Sequence, residues 1–319
     1  MSKLNKIDDL KMMVNIAELH YLEGKSQKQI AEMLDMSPNR VSRYIKKSIK
    51  NGIVQFTVKN PFNTGIDYIE KMRIKHGLSK VIVVPVTDND SPETILAKVG
   101  QTTAEYLAKN LHSNMSIGLE WGRTSYAVAK ALPMLALENL TIVQMMGGSY
   151  KSKVSNDQVF LEFSKKLNAD LYRIPAPVAL NTAEIRNALM SDKNIINTLS
   201  RISDLDMMLI TVGPAGKNSV MYSEGFVSDE DIENIEARGG VGNICARVYD
   251  INGNICYEKL NERIIGVELD TIAKNNNVVL VACGEEKVLP MIGALNGGYC
   301  DILITDSQTF QQLSSSYVV

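Results

Sequence analysis

The sequence predicts an α/β chain in two parts: a small helical N-terminal module and a larger Rossmann-like body, a parallel sheet covered by helices. Three observations predict it. Residues 1–60 carry apolar residues at helical spacing and repeated capping signals. From about residue 63, short near-continuous apolar strands alternate with helices, which suits strands buried on both faces. Charge is also divided. Residues 1–60 hold eleven Lys and Arg against six Asp and Glu, a net +5, while the remainder nets −7. A basic module on an acidic body points to nucleic acid as a partner of the first part only. Punctuation by Asn60-Pro61 within Lys59–Thr64 sets the expected domains at 1–60 and 61–319.

Composition narrows the class. At 319 residues, 45% apolar and 22% charged, the chain is neither disordered nor membrane-like, and it is long enough for two cores. No apolar run reaches bilayer length, and Met1–Met13 is charged and amphipathic, so neither a span nor a signal peptide is expected. Cys245, Cys256, Cys283 and Cys300 form no C-x-x-C pair, and His20, His76 and His112 lie far from them. Reduced thiols in a cytoplasmic protein, without metal or cofactor, are the expectation.

In the first part, Leu10, Val14, Ala17, Leu19 and Leu22 give the apolar stripe of a helix that Gly24 stops. Ser26 and Gln29 form a capping box for a helix burying Ile30, Ala31 and Leu34, which Asp35-Met36 breaks. Ser37 caps a third helix with Pro38 at its first position, burying Val41, Tyr44, Ile45 and Ile49 and ending at Asn51-Gly52. Ile53–Val58 alternates like a strand, giving the module a winged-helix-like end.

A short helix, a tight turn and a second capped helix make a helix-turn-helix. The second helix exposes Asn39, Arg40, Ser42, Arg43, Lys46, Lys47 and Lys50, with no acidic residue from 37 to 50. Asn39, Arg40 and Arg43 suit adenine or guanine edges in the major groove. Ser37, Ser42, Lys46 and Lys47 suit phosphates. The plainer reading is a solvated helix whose terminal lysines complement its dipole.

In the second part, a helix over Ile66–His76 precedes a strand over Lys80–Val86, then a helix from Pro92 to Leu111. Further strands are expected at Met115–Leu119, Leu140–Met146, Asp170–Ile174, Leu205–Val212, Val278–Cys283 and Asp301–Thr305. Gly239–Cys256 reads as a strand pair around an Asn252-Gly253 turn. Several strand ends carry Gly before a helix: Gly122-Arg123-Thr124-Ser125, Gly147-Gly148-Ser149, and Gly284 leading to Lys287. In an open α/β sheet, ligands sit beyond the carboxyl ends of the strands. Glycines let backbone approach closely, and free N–H groups at a helix start hold an anion. Thr124 and Ser125 add hydroxyls, and Arg123 and Lys287 add charge. Trp121 reads as a core anchor.

These residues carry a family resemblance. Leu19–Gly24, Ser26–Leu34, Ser37, Arg40-Val41-Ser42-Arg43 and Gly52-Ile53-Val54 resemble the N-terminal domain of SorC-type bacterial transcriptional regulators. That family includes the deoxyribonucleoside and central-glycolytic repressors. Gly118–Ser125, Gln144–Ser149, Gly242-Asn243-Ile244, Cys283–Lys287 and Asp301–Asp306 resemble its sugar-binding domain, similar in fold to sugar-phosphate isomerases and glucosamine-phosphate deaminases.

The resemblance implies a transcriptional regulator of a carbohydrate operon, a homo-oligomer (dimer or tetramer) that binds double-stranded operator DNA and responds to a phosphorylated sugar. Gln27, Ser37, Asn39, Arg40, Ser42, Arg43, Lys46 and Lys47 would face DNA. Gly122, Arg123, Thr124, Ser125, Gly147, Gly148, Asn243, Gly284 and Lys287 would hold the effector, with Asn243 reading a sugar hydroxyl. Many members have Asp at position 243 and Gly at position 283. Some place a Lys before the Gly-Gly for covalent aldehyde capture, where this chain has Met146. The competing class is an isomerase or deaminase on the same sheet, with Glu120, Asp250 or Asp306 as base. A third reading is a constitutive DNA-binding protein whose large domain only oligomerises. No catalytic residue is expected.

Overall fold

The computed structural model describes residues 3–54, 66–149 and 156–315. It divides into two compact units, residues 1–64 and 65–319.

The described residues of the first unit form three helices, Lys3–Tyr21, Gln27–Met33 and Pro38–Lys50. The Ser26 capping box is formed, with the hydroxyl accepting from Gln29 N and the Gln29 side chain accepting from Ser26 N. Ser37 caps the third helix through Arg40 N, with Pro38 at its start. Asp35 takes φ +47 in the turn between them. The core holds Met13, Ile16, Leu19, Ile30, Ala31, Val41, Tyr44 and Ile45. The expected stripe of the first helix was therefore partly misplaced. Ala17 and Leu19 are buried, but Leu10, Val14 and Leu22 are exposed. This helix has apolar residues on two sides, and the face at Met13-Ile16-Ala17 meets its neighbours. Ile49 is likewise exposed. Ser48 continues the buried face of Val41, Tyr44 and Ile45, donating its hydroxyl to Ile45 O at 2.8 Å. Ile53 and Val54 are not in a strand, and 55–58 of the expected strand, like the boundary at 59–64, lie outside the described residues.

The second unit is built on seven parallel strands: β1 Lys80–Val84, β2 Ser116–Leu119, β3 Thr141–Gln144, β4 Asp170–Tyr172, β5 Met207–Ile210, β9 Val278–Val281 and β10 Ile302–Asp306. Their order is β1-β10-β9-β5-β2-β3-β4. Between β5 and β9, β6 (Gly213–Pro214), β7 (Gly240–Ile244) and β8 (Arg247–Asp250) form a small antiparallel sheet. From β2 the chain steps outward through β3 to β4, then returns to lay β5 on the other side of β2. The strand order reverses there, and in an open α/β sheet ligands sit beyond the carboxyl ends of the strands at such a point, here β2 and β5. Leu119 pairs with Leu209 and Ile210 with Leu280, so the ends of β2, β5 and β9 lie side by side.

β1 stops short of the expected Val86 because Pro85 has no N–H for the ladder. The strand pair after Gly239 forms, but its turn is Cys245-Ala246, not Asn252-Gly253. Both turn residues have positive φ, +50 and +66, as a tight hairpin turn requires. Asn252-Gly253 makes the next turn, where Asp250 Oδ1 accepts from Asn252 N and Asn254 N at 2.9 Å and Ile255 bridges back to Tyr249. Among the described residues no helix is long and apolar enough to cross a membrane.

A non-glycine residue in the left-handed region costs about 1 kcal/mol. Ala246→Gly relieves that cost and adds freedom to the unfolded chain. A net gain of about 0.5 kcal/mol is expected in urea unfolding; a loss would show that the Ala246 methyl contributes more by packing than the turn costs.

Candidate functional site

The strand ends of β2 and β5 are organised around a buried acid. Glu120, directly after β2, is 3% exposed. One carboxylate oxygen accepts from the Thr211 amide at 2.5 Å and from the Thr211 hydroxyl, directly after β5. The other accepts from the Cys245 amide at 3.1 Å and its thiol at 3.2 Å, in the hairpin turn. Burial pushes the Glu120 carboxyl above its usual range, and the four donors oppose the rise. Burial and the charge of Glu120 push the Cys245 thiol well up.

Beyond Glu120, Gly122 at φ +150 opens the helix Arg123–Ala131. The amides of a first helical turn have no acceptor within the helix; the first bond, Tyr126 N to Gly122 O, comes at 2.9 Å. Ser125 is fully buried, and among the described residues its hydroxyl has no hydrogen-bond partner. Thr124 is half-buried and Arg123 exposed. Lys287 reaches in from the turn after β9, its Nζ donating to Val212 O at 2.8 Å. Burial lowers the Lys287 pKa, while Glu286 and Glu120 act to raise it. Arg123 and Lys287 both act electrostatically on the Cys283 thiol, which burial pushes up to about 12. Asn243 on β7 faces Gly213, next to Val212, and its Nδ2 donates to Pro214 O at 3.0 Å. Gly284, at φ +104, donates its amide to Thr309 Oγ1 at 2.8 Å.

Gly147 and Gly148 do not offer free amides, which corrects the expectation that they bind an anion. The Gly147 amide donates to Ile265 O at 2.9 Å and the Gly148 amide to Ala176 O at 2.8 Å. A Cβ on Gly147 would sit 2.5 Å from the Pro177 carbonyl. These glycines let two backbone segments cross. Trp121 is buried as expected and donates its indole N–H to Gly147 O at 2.7 Å.

In the first unit, the third helix exposes Asn39, Arg40, Arg43, Lys46 and Lys47, with Ser42 half-buried. Asn39, Ser42, Arg43 and Lys46 share one side by their spacing. Gln27 is exposed at the start of the second helix, and the Ser37 hydroxyl is engaged as a cap. Arg40 and Lys47 flank the Tyr44 ring at 5.9 and 5.7 Å from its centroid. Asp9 from the first helix accepts from Tyr44 OH at 2.7 Å and pairs with Lys47 at 3.5 Å. The Tyr44 hydrogen bond, with help from Lys47 and Arg43, holds the Asp9 carboxyl below its usual range.

The family described as "Putative sugar-binding domain" matches residues 60–314, and sigma-70 region 4 matches residues 18–51. The Deoxyribonucleoside regulator of Bacillus subtilis is 29% identical over 306 residues, 95% of this chain and 96% of that protein. The Sorbitol operon regulator of Klebsiella pneumoniae is 28% identical over 311 residues, 96% of this chain and 98% of that one. The crystal structure of full-length SorC from Klebsiella pneumoniae superposes with a TM-score of 0.73 at 27% identity, covering 96% of this chain and 99% of that one. The chain belongs to the SorC-type sugar-binding transcriptional regulators.

This regulator thus joins a helix-turn-helix to an α/β sugar-binding body. Its structure brings Gly122–Ser125, Lys287, Gly284 and Asn243 to neighbouring strand ends and removes Gly147 and Gly148 from the set of anion donors. Sequence reasoning missed three contributors. Glu120 was read only as a possible base, and its partners Thr211 and Cys245 lie 91 and 125 residues away. Thr309 carried a readable signal, three residues after a capping Asp306. Asp9 lies outside the helix-turn-helix motif.

Replacing Glu120 with Gln keeps the shape but sets an NH₂ group against amide and thiol donors. Glu120→Gln is expected to cost about 1–3 kcal/mol of stability by denaturant unfolding. Wild-type stability in this variant would mean that the strand ends are held by something else.

Proposed function

We propose that the regulator binds a pseudo-palindromic operator as a homo-oligomer, dimer or tetramer, and that a phosphorylated sugar at the β2–β5 strand ends changes its affinity for that DNA. The observation that carries the effector reading is the buried Ser125 hydroxyl, without a partner among the described residues, at a helix start on the strand-end row that also holds Lys287. Buried polar groups are otherwise hydrogen-bonded, and a phosphoryl oxygen supplies the missing partner. Lys287 exchanges Val212 O for a phosphoryl oxygen, the amides of Arg123, Thr124 and Ser125 complete the cradle, and Asn243 reads a hydroxyl. Gln27, Ser37, Ser42, Lys46 and Lys47 lie along phosphates, while Asn39, Arg40 and Arg43 enter the major groove. The protein works in the cytoplasm without metal or cofactor.

The alternative of an isomerase or deaminase needs a free general base. Each candidate carboxylate is already engaged. Glu120 accepts from Thr211 and Cys245, Asp250 from Asn252 and Asn254 amides, and Asp306 from Gln308 and Thr309 amides. Their positions suit a binding site that transfers no proton. The effector and operator then act on each other by the same factor, as linkage requires.

The test is a mobility-shift assay on the operator across a panel of sugar phosphates. One member should change operator affinity, and the unphosphorylated sugar should not; a panel without effect would leave a constitutive DNA-binding protein. Arg43→Ala should weaken operator binding by about 1–3 kcal/mol and leave effector binding intact. Equal loss of both would indicate misfolding. Lys287→Ala should abolish the effector response and spare operator binding. Because burial lowers the Lys287 pKa, its charge is present below that pKa and lost as pH rises through it. Effector affinity should therefore fall at a lower pH than an exposed lysine would require. An affinity flat through the alkaline range, measured by calorimetry, would argue against Lys287 as the phosphate ligand.

A further inference from the structure

Lys287 stands at the end of a directed chain of hydrogen bonds that begins on the far side of β9. Asp306, closing β10, is 1% exposed, and Thr309 in the helix Ser307–Ser315 is 2% exposed. One oxygen of Asp306 accepts both the Gln308 and Thr309 amides at 2.9 Å, which satisfies the helix start. The second oxygen is not needed for capping; it accepts the Thr309 hydroxyl. A carboxylate can only accept, so Thr309 must donate to it and present a lone pair elsewhere. That lone pair receives the Gly284 amide at 2.8 Å. Gly284 opens the turn into Lys287, whose own amide returns to Gly284 O at 3.0 Å. The turn is thus closed on itself and fastened to the helix through Gly284. Its left-handed Gly284, at φ +104, is a conformation that other residues rarely adopt.

The geometry points to Asp306 and Thr309 as a positioning pair that fixes the Gly284–Lys287 turn and so aims the Lys287 ammonium at a phosphoryl group. This rests on the reading of Lys287 as the phosphate ligand. Neither residue touches the ligand. Their part is to keep the turn ordered before binding, so that little freedom is lost when the anion arrives.

The test uses the full chain and inorganic phosphate as probe, with affinity measured by calorimetry and amide exchange followed over residues 283–289. Thr309→Val removes the relay at nearly constant volume. It should weaken phosphate binding roughly five- to tenfold and speed exchange at Gly284. Thr309→Ser restores the hydroxyl and should return both readouts to within about twofold of wild type. Asp306→Asn keeps the cap acceptor but removes the acceptor for Thr309, and should weaken binding as Thr309→Val does; it decides the matter if Thr309→Val fails to fold. Wild-type phosphate affinity in Thr309→Val or Asp306→Asn, alongside loss in Lys287→Ala, would overturn the positioning pair alone. So would failure of Thr309→Ser to rescue, since the methyl rather than the hydroxyl would then matter. Wild-type affinity in Lys287→Ala, or no phosphate binding by the native chain, would overturn the site reading and with it this proposal.

Discussion

A carboxylate taken out of water costs several kcal/mol unless donors replace its hydration. Glu120 meets that demand with four donors drawn from two places distant in the chain, Thr211 after β5 and Cys245 in the hairpin turn. The strand end of β2, the strand end of β5 and the turn between β7 and β8 must therefore converge on one point. The rest of the candidate site depends on that convergence. Val212, whose carbonyl receives Lys287, is next to Thr211, and Gly122 is two residues beyond Glu120. The left-handed Cys245 is tolerated because its amide and thiol are both tied to the acid. Glu120 is enclosed, and each oxygen already accepts two donors.

The two units use cations in opposite ways. In the helix-turn-helix, Arg43 and Lys46 stand in water, and Lys47 shares Asp9 and the Tyr44 ring without being enclosed. Exposed charges of this kind contribute little to stability and remain available to a polyanion. In the body, Lys287 is half-buried and already donates to a backbone carbonyl, so its charge is fixed in place and disfavoured by burial. A diffuse cationic surface suits a long phosphate backbone. A single docked ammonium with a helix start suits one phosphoryl group.

Much of this was legible in the sequence where cause and effect are close along the chain. The Ser26 box and the Ser37-Pro38 start are decided within three residues, and both formed as read. The parallel strands were legible because burial on both faces leaves near-continuous apolar runs. What could not be read depends on partners far away. Gly147 and Gly148 have the composition of an anion loop, yet their amides go to Ile265 and Ala176. The segment around Ile265 is held there by fully buried Arg247, which donates to Gly266 O, Val267 O and Glu268. No local signal marks Arg247 as internal. The first helix misled for another reason: apolar residues on two sides leave its register open until the other helices choose one.

The hydrogen bond of Lys287 also bears on the strength of the proposed binding. The ammonium already has a good acceptor, Val212 O, at 2.8 Å. Moving to a phosphoryl oxygen exchanges one hydrogen bond for another, so the gain is the charge pairing alone. The loss is small for the same reason, because the side chain is already ordered and the turn behind it is fastened through Gly284. Ser125 differs. Its buried hydroxyl has no partner among the described residues to give up, so an arriving acceptor removes a penalty. A site built from one charge pairing and one relieved deficit favours a ligand that can satisfy both at once. A phosphoryl group, with three acceptor oxygens on one centre, does so more readily than a hydroxyl or a carboxylate.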